Sequence, residues 1–135
     1  MIIKGPTFKI LMLSENINFR NILAGKLRIE NFDVEFATGG FHVLHMIERY
    51  NDEINMVIIH EDMSDMAAQE IISLIRHSKS KTSLPILFIS KEGSEEDICD
   101  TIFIGANDYI VQTTNYKPIV ERAQKYLQIF TKNAA

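Results

Sequence analysis

Residues 56–59 form a short apolar run, Met-Val-Ile-Ile, that ends directly in three titratable side chains and restricts the fold more than any other feature. Most of the run is β-branched, which is typical of a strand buried on both faces of a parallel sheet. His60, Glu61 and Asp62 follow at its carboxyl end, where open α/β sheets place their ligand sites. The sequence therefore predicts a buried central strand that delivers polar side chains to one edge of a sheet.

Strand-like and helix-like segments alternate five times along the chain. Apolar runs predict strands at residues 8–13, 33–37, 56–60, 85–90 and 108–111. Apolar spacing and capping residues predict helices after Asn16, at residues 41–50 and 66–77, from Ser94 to about Ile104, and after Asn115. Right-handed crossovers then give a doubly wound, five-stranded parallel sheet of flavodoxin-like order 2-1-3-4-5. We expect a single α/β domain over residues 1–135, with its core at about 8–130.

The spacing of apolar residues in the first and last predicted helices indicates which face of each helix packs against the sheet. Phe19, Ile22, Leu23 and Leu27 recur at helical spacing and predict one apolar inner face. Gly25 costs about 1 kcal/mol relative to alanine inside a helix, which indicates close packing against a neighbour. In the last helix the predicted inner face comprises Val120, Ala123, Leu127 and Phe130.

Charge and cysteine content narrow the class of protein. The net charge of −4 over 135 residues argues against nucleic acid as a direct partner, because phosphate binding requires a basic face. Cys99 is the only cysteine and cannot form an internal disulfide, as expected in a reducing compartment. No apolar run approaches the roughly 18 residues of a membrane span, and residues 1–6 are too short for a signal peptide. We therefore expect a cytoplasmic protein with no membrane partner.

Five segments, in order and at matching spacing, resemble the receiver domain of bacterial two-component response regulators over roughly Phe8 to Phe130. They are residues 10–13 with two polar residues following, 37–40, 56–70, 84–90 and the most specific one, Gly-Ala-Asn-Asp-Tyr-Ile-Val at 105–111. The resemblance implies self-catalysed phosphorylation of an aspartate that ends strand three. It also implies an acidic pair after strand one that holds Mg²⁺, a hydroxyl that ends strand four, and a lysine that ends strand five.

This sequence departs from that pattern at most of the pocket. His60 stands at the phosphoacceptor position, Ser14 and Glu15 replace the acidic pair, and Gln112 replaces the lysine. Only the hydroxyl survives, as Ser90. Losing the lysine alone would leave carboxylates uncompensated, whereas losing both leaves a pocket that Glu15 and a protonated His60 nearly neutralise. The joint loss predicts a pseudo-receiver that keeps the fold without the phosphorylation chemistry.

The role of His60 stays open at this stage. It fills and hydrogen-bonds the old pocket, accepts phosphate on a ring nitrogen, or responds to pH, since imidazole titrates near neutrality. A metal site formed by Glu15, His60 and Asp62 is a weak candidate, and we expect no metal or cofactor. A small-ligand sensor using the same crevice is a further alternative, although no glycine-rich phosphate loop supports it. No nucleophile with its base and orienting group indicates an enzyme.

The predicted outer surface points to an interaction module. Ser90 and Tyr109 match the switch pair of similar receivers, in which hydroxyl and ring move together; the alternative is simple packing of the tyrosine. Phe103 lies about 100° around the fourth helix from Ile102. With Cys99 it forms an exposed apolar patch, unless the helix is rotated and Phe103 joins the core. We expect phosphorylation-independent binding of a signalling protein, or of a second copy, through helix four, strand five and helix five.

Overall fold

The computed structural model describes the backbone of residues 7–134, and their side chains except at positions 51 and 129–134. Residues 1–6 and the predicted inward side chain of Phe130 therefore lie outside the described part. The strands are β1 (Lys9–Leu13), β2 (Asp33–Ala37), β3 (Met56–His60), β4 (Ile86–Ser90) and β5 (Asp108–Val111). The helices are α1 (Ile17–Ile29), α2 (Gly40–Tyr50), α3 (Ala68–Arg76), α4 (Glu95–Ile104) and α5 (Lys117–Ala134), with a 3-10 turn at Asn51–Glu53.

The strands form one parallel sheet in the order β2-β1-β3-β4-β5, which confirms the predicted topology. In the register, Leu13 lies beside both Ala37 and Ile59, and His60 lies beside Ile89. Because all strands run in the same direction, their carboxyl ends meet at one edge of the sheet.

Both faces of the sheet are covered, which explains the unbroken apolar run in β3. Val57 and Ile59 pack in a core with α2 and α3, whereas Met56 and Ile58 pack in a second core with α1 and α5. Every residue of β3, including His60, is buried. A central strand of this kind requires apolar side chains on both sides, so it has no polar alternation.

Two expectations for α1 are wrong. Its buried residues are Phe19, Leu23, Ala24 and Leu27, whereas Ile22 is 46% exposed. Ile22 precedes Leu23 by about 100° of helical rotation and therefore faces solvent. A Cβ atom placed on Gly25 would meet no heavy atom within 4 Å, so this glycine is not there for close packing.

The fourth helix begins and ends as predicted. The Ser94 hydroxyl accepts from the backbone N–H of Asp97, whose carboxylate accepts from the backbone N–H of Ser94, and this completes a capping box. Gly105 follows the helix with a φ of 143°, a conformation that favours glycine. Only Thr101 is fully buried in α4, while Ile98 and Ile102 are half-buried. The helix therefore buries fewer of its side chains completely than α1 or α3 does.

A half-buried arginine connects the end of α3 to the loop before β4 and to the loop after α4. Arg76 donates to the backbone carbonyls of Lys79, Ser80, Leu84 and Gly105 and to the side-chain oxygen of Asn107. Burial lowers the pKa of the Arg76 guanidinium to about 10, so it stays charged at neutral pH. These acceptors are carbonyl oxygens, which explains why no charge pattern in the sequence marked this residue.

Among the described residues, no helix combines the length and apolar character needed to cross a bilayer.

Candidate functional site

The carboxyl ends of the central strands bring several buried polar side chains together. Ser14 follows β1, His60 ends β3, and Ser90 ends β4, and each is almost completely buried. Gln112 follows β5 and is half-buried. Buried polar groups of this kind require hydrogen-bond partners, and their partners divide the site into two parts.

The first part is centred on His60. Its Nε2 lies 2.7 Å from Gln112 Oε1, and its Nδ1 lies 3.0 Å from Asp62 Oδ2 and 3.3 Å from Ser14 Oγ. The ring stacks on Phe19 of α1, with centroids 4.3 Å apart and planes 15° apart. An imidazolium satisfies both acceptors with two N–H groups. A neutral ring satisfies both neighbours if its one N–H points to Asp62 and the Gln112 amide is flipped, so that its NH₂ group donates to the other ring nitrogen.

Asp62 is the carboxylate that partners His60. It also accepts from the backbone N–H groups of Glu15 and Asn16, at 3.2 and 2.8 Å, and from the Ser14 hydroxyl at 3.2 Å. Burial acts to raise the pKa of Asp62, but the hydrogen bond and charge of His60, together with the other donors, hold it below its ordinary value. Asp62 thus lies as an anion at the amino-terminal end of α1, where the helix dipole favours negative charge.

Glu15 does not take the predicted role of balancing His60. Its carboxylate accepts from the backbone N–H and the hydroxyl of Ser64, at 3.0 and 2.5 Å, in the loop after β3. The expectation that Glu15 and His60 neutralise each other is therefore wrong, and the partner is Asp62. The sequence placed Asp62 at the site but carried no signal for which of two nearby carboxylates turns inward.

The donor set does not suit the magnesium ion that the resemblance implies. Mg²⁺ prefers an octahedron of carboxylate, phosphate and water oxygens. Both oxygens of Asp62 and one oxygen of Glu15 are already engaged by N–H and O–H donors, and an imidazole stands where the third carboxylate would lie. In the described part of the chain, no three His, Cys, Asp or Glu side chains cluster in a way that could hold a metal ion. We therefore assign no step to a metal.

The second part of the site is centred on Ser90. Its hydroxyl is in close hydrogen-bond contact with Glu61 Oε2 and lies 2.5 Å from the carbonyl oxygen of Glu92. Glu61 Oε1 also accepts from the backbone N–H of Lys91 at 2.7 Å. The Tyr109 hydroxyl donates to the same Glu92 carbonyl at 2.9 Å. Ser90 and Tyr109 are therefore linked through one backbone oxygen, and the Tyr109 ring is half-buried.

Sequence reasoning placed Glu61 at the edge of the sheet but assigned it no partner. The strand register indicates a partner for Glu61, because His60 pairs with Ile89 and the next pair along the two strands is Glu61 with Ser90. Side chains alternate between the faces of a strand, so Glu61 points away from the direction taken by His60.

The exposed side of α4 carries an aromatic ring near its carboxyl end. Phe103 is 91% exposed and Cys99, one turn earlier on α4, is also exposed. The rotated helix that would bury Phe103 is not observed. Around the pair, α4 carries four acidic side chains and no basic one: Glu95, Glu96, Asp97 and Asp100. On β5, Val111 is 44% exposed.

Sequence comparison identifies the family. The family model for the response regulator receiver domain matches residues 10–124, which is most of the chain. The chain belongs to the response regulator receiver domain family. The receiver is 23% identical over 120 residues to a chemotaxis protein CheY homolog of Campylobacter jejuni, covering 88% of this chain and 92% of that protein. It is 27% identical over 118 residues to the aerobic respiration control protein ArcA of Escherichia coli, covering 87% of this chain and 48% of that protein.

Solved structures share the receiver fold. A CheY-like response regulator receiver domain protein from Methanospirillum hungatei superposes with a TM-score of 0.83 at 20% identity, covering 95% of this chain and 99% of that one. A two-component response regulator from Clostridium difficile superposes with a TM-score of 0.79 at 16% identity, covering 90% and 97%. At such identity the likeness establishes the fold, and function has to be argued from the site.

Proposed function

We propose that this receiver domain is a pseudo-receiver, a non-catalytic protein-interaction module that works in a two-component signalling pathway without being phosphorylated. The observation that carries the proposal is the state of His60. It stands at the phosphoacceptor position, is fully buried, and has an oxygen partner at each ring nitrogen. The side chain that should receive the phosphoryl group is thus occupied by the protein itself.

The chemistry of the remaining pocket also disfavours phosphoryl transfer. Transfer needs positive charge close to the phosphoryl oxygens, usually from a metal ion and a lysine. Here the lysine position holds the neutral Gln112, and Asp62 adds negative charge beside the ring. A phosphodonor that approached His60 would have to displace Gln112 or Asp62 and open the stack with Phe19. Phosphorylation of His60 is therefore the outcome that would contradict this proposal.

The exposed surface formed by α4, β5 and α5 is the proposed binding surface. Phe103 supplies an exposed aromatic ring on α4, and such apolar groups on a polar surface are typical of protein contacts. The acidic side chains around it favour a signalling partner with a basic contact surface. The names of the relatives, a chemotaxis protein and a respiration control protein, are consistent with a signalling role, and we place the protein in the cytoplasm on that basis.

An affinity capture with matched aromatic substitutions tests this proposal. Phe103→Glu should abolish capture of the partner, because it puts a charge at the centre of the proposed contact, whereas Phe41→Glu should not. Phe41 is the matched control because it is 71% exposed and lies on α2, outside the proposed surface. The captured partner is then purified and its affinity measured with and without acetyl phosphate.

We expect the affinity to be unchanged by acetyl phosphate and to fall at least about tenfold with Phe103→Glu, the loss expected for a buried aromatic anchor. Equal binding by Phe103→Glu and wild type would show that the partner does not bind at Phe103. A gain in affinity with acetyl phosphate would contradict phosphorylation independence. A second copy of the chain as the captured protein would identify the homodimer.

A further inference from the structure

We infer that Glu61 is a latch that fixes the α4 end of the proposed binding surface, acting through Ser90 and Tyr109 as a positioning residue. This inference rests on the proposed function for its biological meaning and on the following contacts for its physical content. Glu61 is the first residue after β3, and its carboxylate reaches across to the end of β4. One oxygen contacts the Ser90 hydroxyl, and the other accepts from the Lys91 N–H at 2.7 Å. Hydrogen bonds to an ionised carboxylate are roughly twice as strong as those between neutral groups.

The Ser90 hydroxyl passes this restraint into the turn that follows β4. It lies 2.5 Å from the Glu92 carbonyl oxygen and accepts from the Glu92 backbone N–H at 3.3 Å. Ser90 is almost fully buried, so water does not readily replace these contacts. The turn over residues 90–93 is therefore closed around one hydroxyl that Glu61 itself holds in place.

Tyr109 closes the same turn from the β5 side. Its hydroxyl donates to the Glu92 carbonyl at 2.9 Å, and its ring packs against Phe88 with centroids 5.1 Å apart. A Cβ atom at Gly93 would lie 2.4 Å from that hydroxyl, so only glycine allows the ring to lie against the turn. The position of the Tyr109 ring and the shape of the turn are thus set together.

The turn at residues 90–93 sets the position of the amino-terminal end of α4. Ser94, the N-cap of α4, comes directly after it, and Thr101 is the only fully buried residue of the helix. A helix with so little buried surface depends on its end contacts for its placement. Phe103 lies on this helix. Arg76 and Lys81 hold its carboxyl end at the carbonyls of Gly105 and Ile102, and the contacts that begin at Glu61 position its amino-terminal end.

The consequence is a surface that is held in one arrangement by a carboxylate of the chain itself. A chain of contacts from Glu61 to Ser90 to the Glu92 carbonyl and Tyr109 needs no covalent modification to stay closed. Glu61 is exposed, so its substitution leaves the core intact and tests the latch without unfolding the domain.

Hydrogen exchange measures the latch without any partner. Glu61→Ala and Ser90→Ala should each speed exchange of the amides in residues 91–104 by about tenfold, the equivalent of one lost hydrogen bond. Their double variant should speed exchange by less than the product of the two single effects, because both remove the contact between Glu61 and Ser90. Glu92→Gln is the matched control, since its carbonyl, not its exposed side chain, makes the contact. Its exchange should equal that of wild type.

A second measurement follows the Tyr109 ring directly. In protein labelled with 3-fluorotyrosine, the fluorine resonance assigned by a Tyr109→Phe variant should shift or broaden in Glu61→Ala and Glu61→Gln but not in Glu92→Gln. Exchange and resonance that both match wild type in the Glu61 variants would overturn the latch. Failure of the proposed function looks different, because a partner that binds regardless of Phe103 leaves these partner-free readouts unaffected.

Discussion

Among single residues, His60 is stabilised by partners at both ring nitrogens and on one ring face. Asp62 and Gln112 lie within hydrogen-bond distance of its two nitrogens, and the Phe19 ring stacks on it with centroids 4.3 Å apart. A buried imidazole without these partners would lose the hydrogen bonds that water supplies, at a cost of roughly 1–3 kcal/mol for each unsatisfied group. The pocket is therefore a satisfied polar cluster and has no open coordination or reaction position at the ring.

The Asp62 carboxylate gives this cluster a defined pH dependence. Its pKa is lower in the folded protein than its ordinary value, so its stabilising contribution is complete above the ordinary pKa and is lost as the pH falls through the lower, folded value. Asp62→Asn should therefore lower the free energy of unfolding by about 1–2 kcal/mol at pH 7, through loss of charge-assisted hydrogen bonds. Denaturant unfolding at a series of pH values should show this difference shrinking below pH of about 4.

Asp100→Asn, an exposed carboxylate on α4, is the control and should show a much smaller difference at every pH. A gap between wild type and Asp62→Asn that stays constant down to pH of about 2 would contradict the assignment of Asp62 as the anionic partner.

Among the helices, one glycine inside α1 and one directly after α4 should respond to alanine substitution with opposite changes in the free energy of unfolding. A side chain at Gly25 of α1 meets open space, so Gly25→Ala should raise the free energy of unfolding by roughly 0.5–1 kcal/mol through helix propensity alone. At Gly105, after α4, φ is 143° and a Cβ atom would lie 2.6 Å from the Arg76 side chain. Gly105→Ala should therefore destabilise by more than about 1 kcal/mol. Thermal or denaturant unfolding of the pair checks both signs, and equal effects would refute this account.

Arg76 leads to a further prediction, because it joins α3 to the loops that carry Leu84 and Gly105. Arg76→Lys keeps the charge but cannot reach the carbonyls of Leu84 and Gly105 together with the others. We expect a loss of about 2–3 kcal/mol in the free energy of unfolding, as buried carbonyls lose a charged donor. Arg49→Lys, on the exposed surface of α2, is the matched control. A difference below about 0.5 kcal/mol between the two variants would show that Arg76 is not structurally important.

The same elements show why the fold could be predicted from the sequence and some of its details could not. The β-branched run of β3 and the capping box of α4 are local patterns, and the strand order follows from general rules of handedness. How α1 is rotated on the sheet depends on packing, and the sequence therefore misplaced Ile22 and Gly25. Arg76 also escaped sequence analysis, because its partners are carbonyl groups supplied by distant loops.

For the whole molecule, the domain has a receiver fold, and we propose that its pocket no longer supports phosphorylation. The sequence placed Ser14, His60 and Gln112 at one edge of the sheet, and the structure brings all three into contact. It could not decide which carboxylate would join them, because rotamers of Glu15 and Asp62 depend on the loop after β3. Helix periodicity left two positions open for Phe103, exposed or turned into the core on a rotated helix, and the structure shows it exposed.

We propose that this pocket does not capture a phosphoryl group, and the intact mass after exposure to a phosphodonor is the test. The protein is incubated with acetyl phosphate and millimolar Mg²⁺, and its intact mass is recorded at neutral pH, with the Campylobacter jejuni CheY homolog as a comparison protein. We expect the mass of this chain to stay unchanged. A gain of one phosphoryl group that maps to His60 or to a neighbouring carboxylate would contradict it.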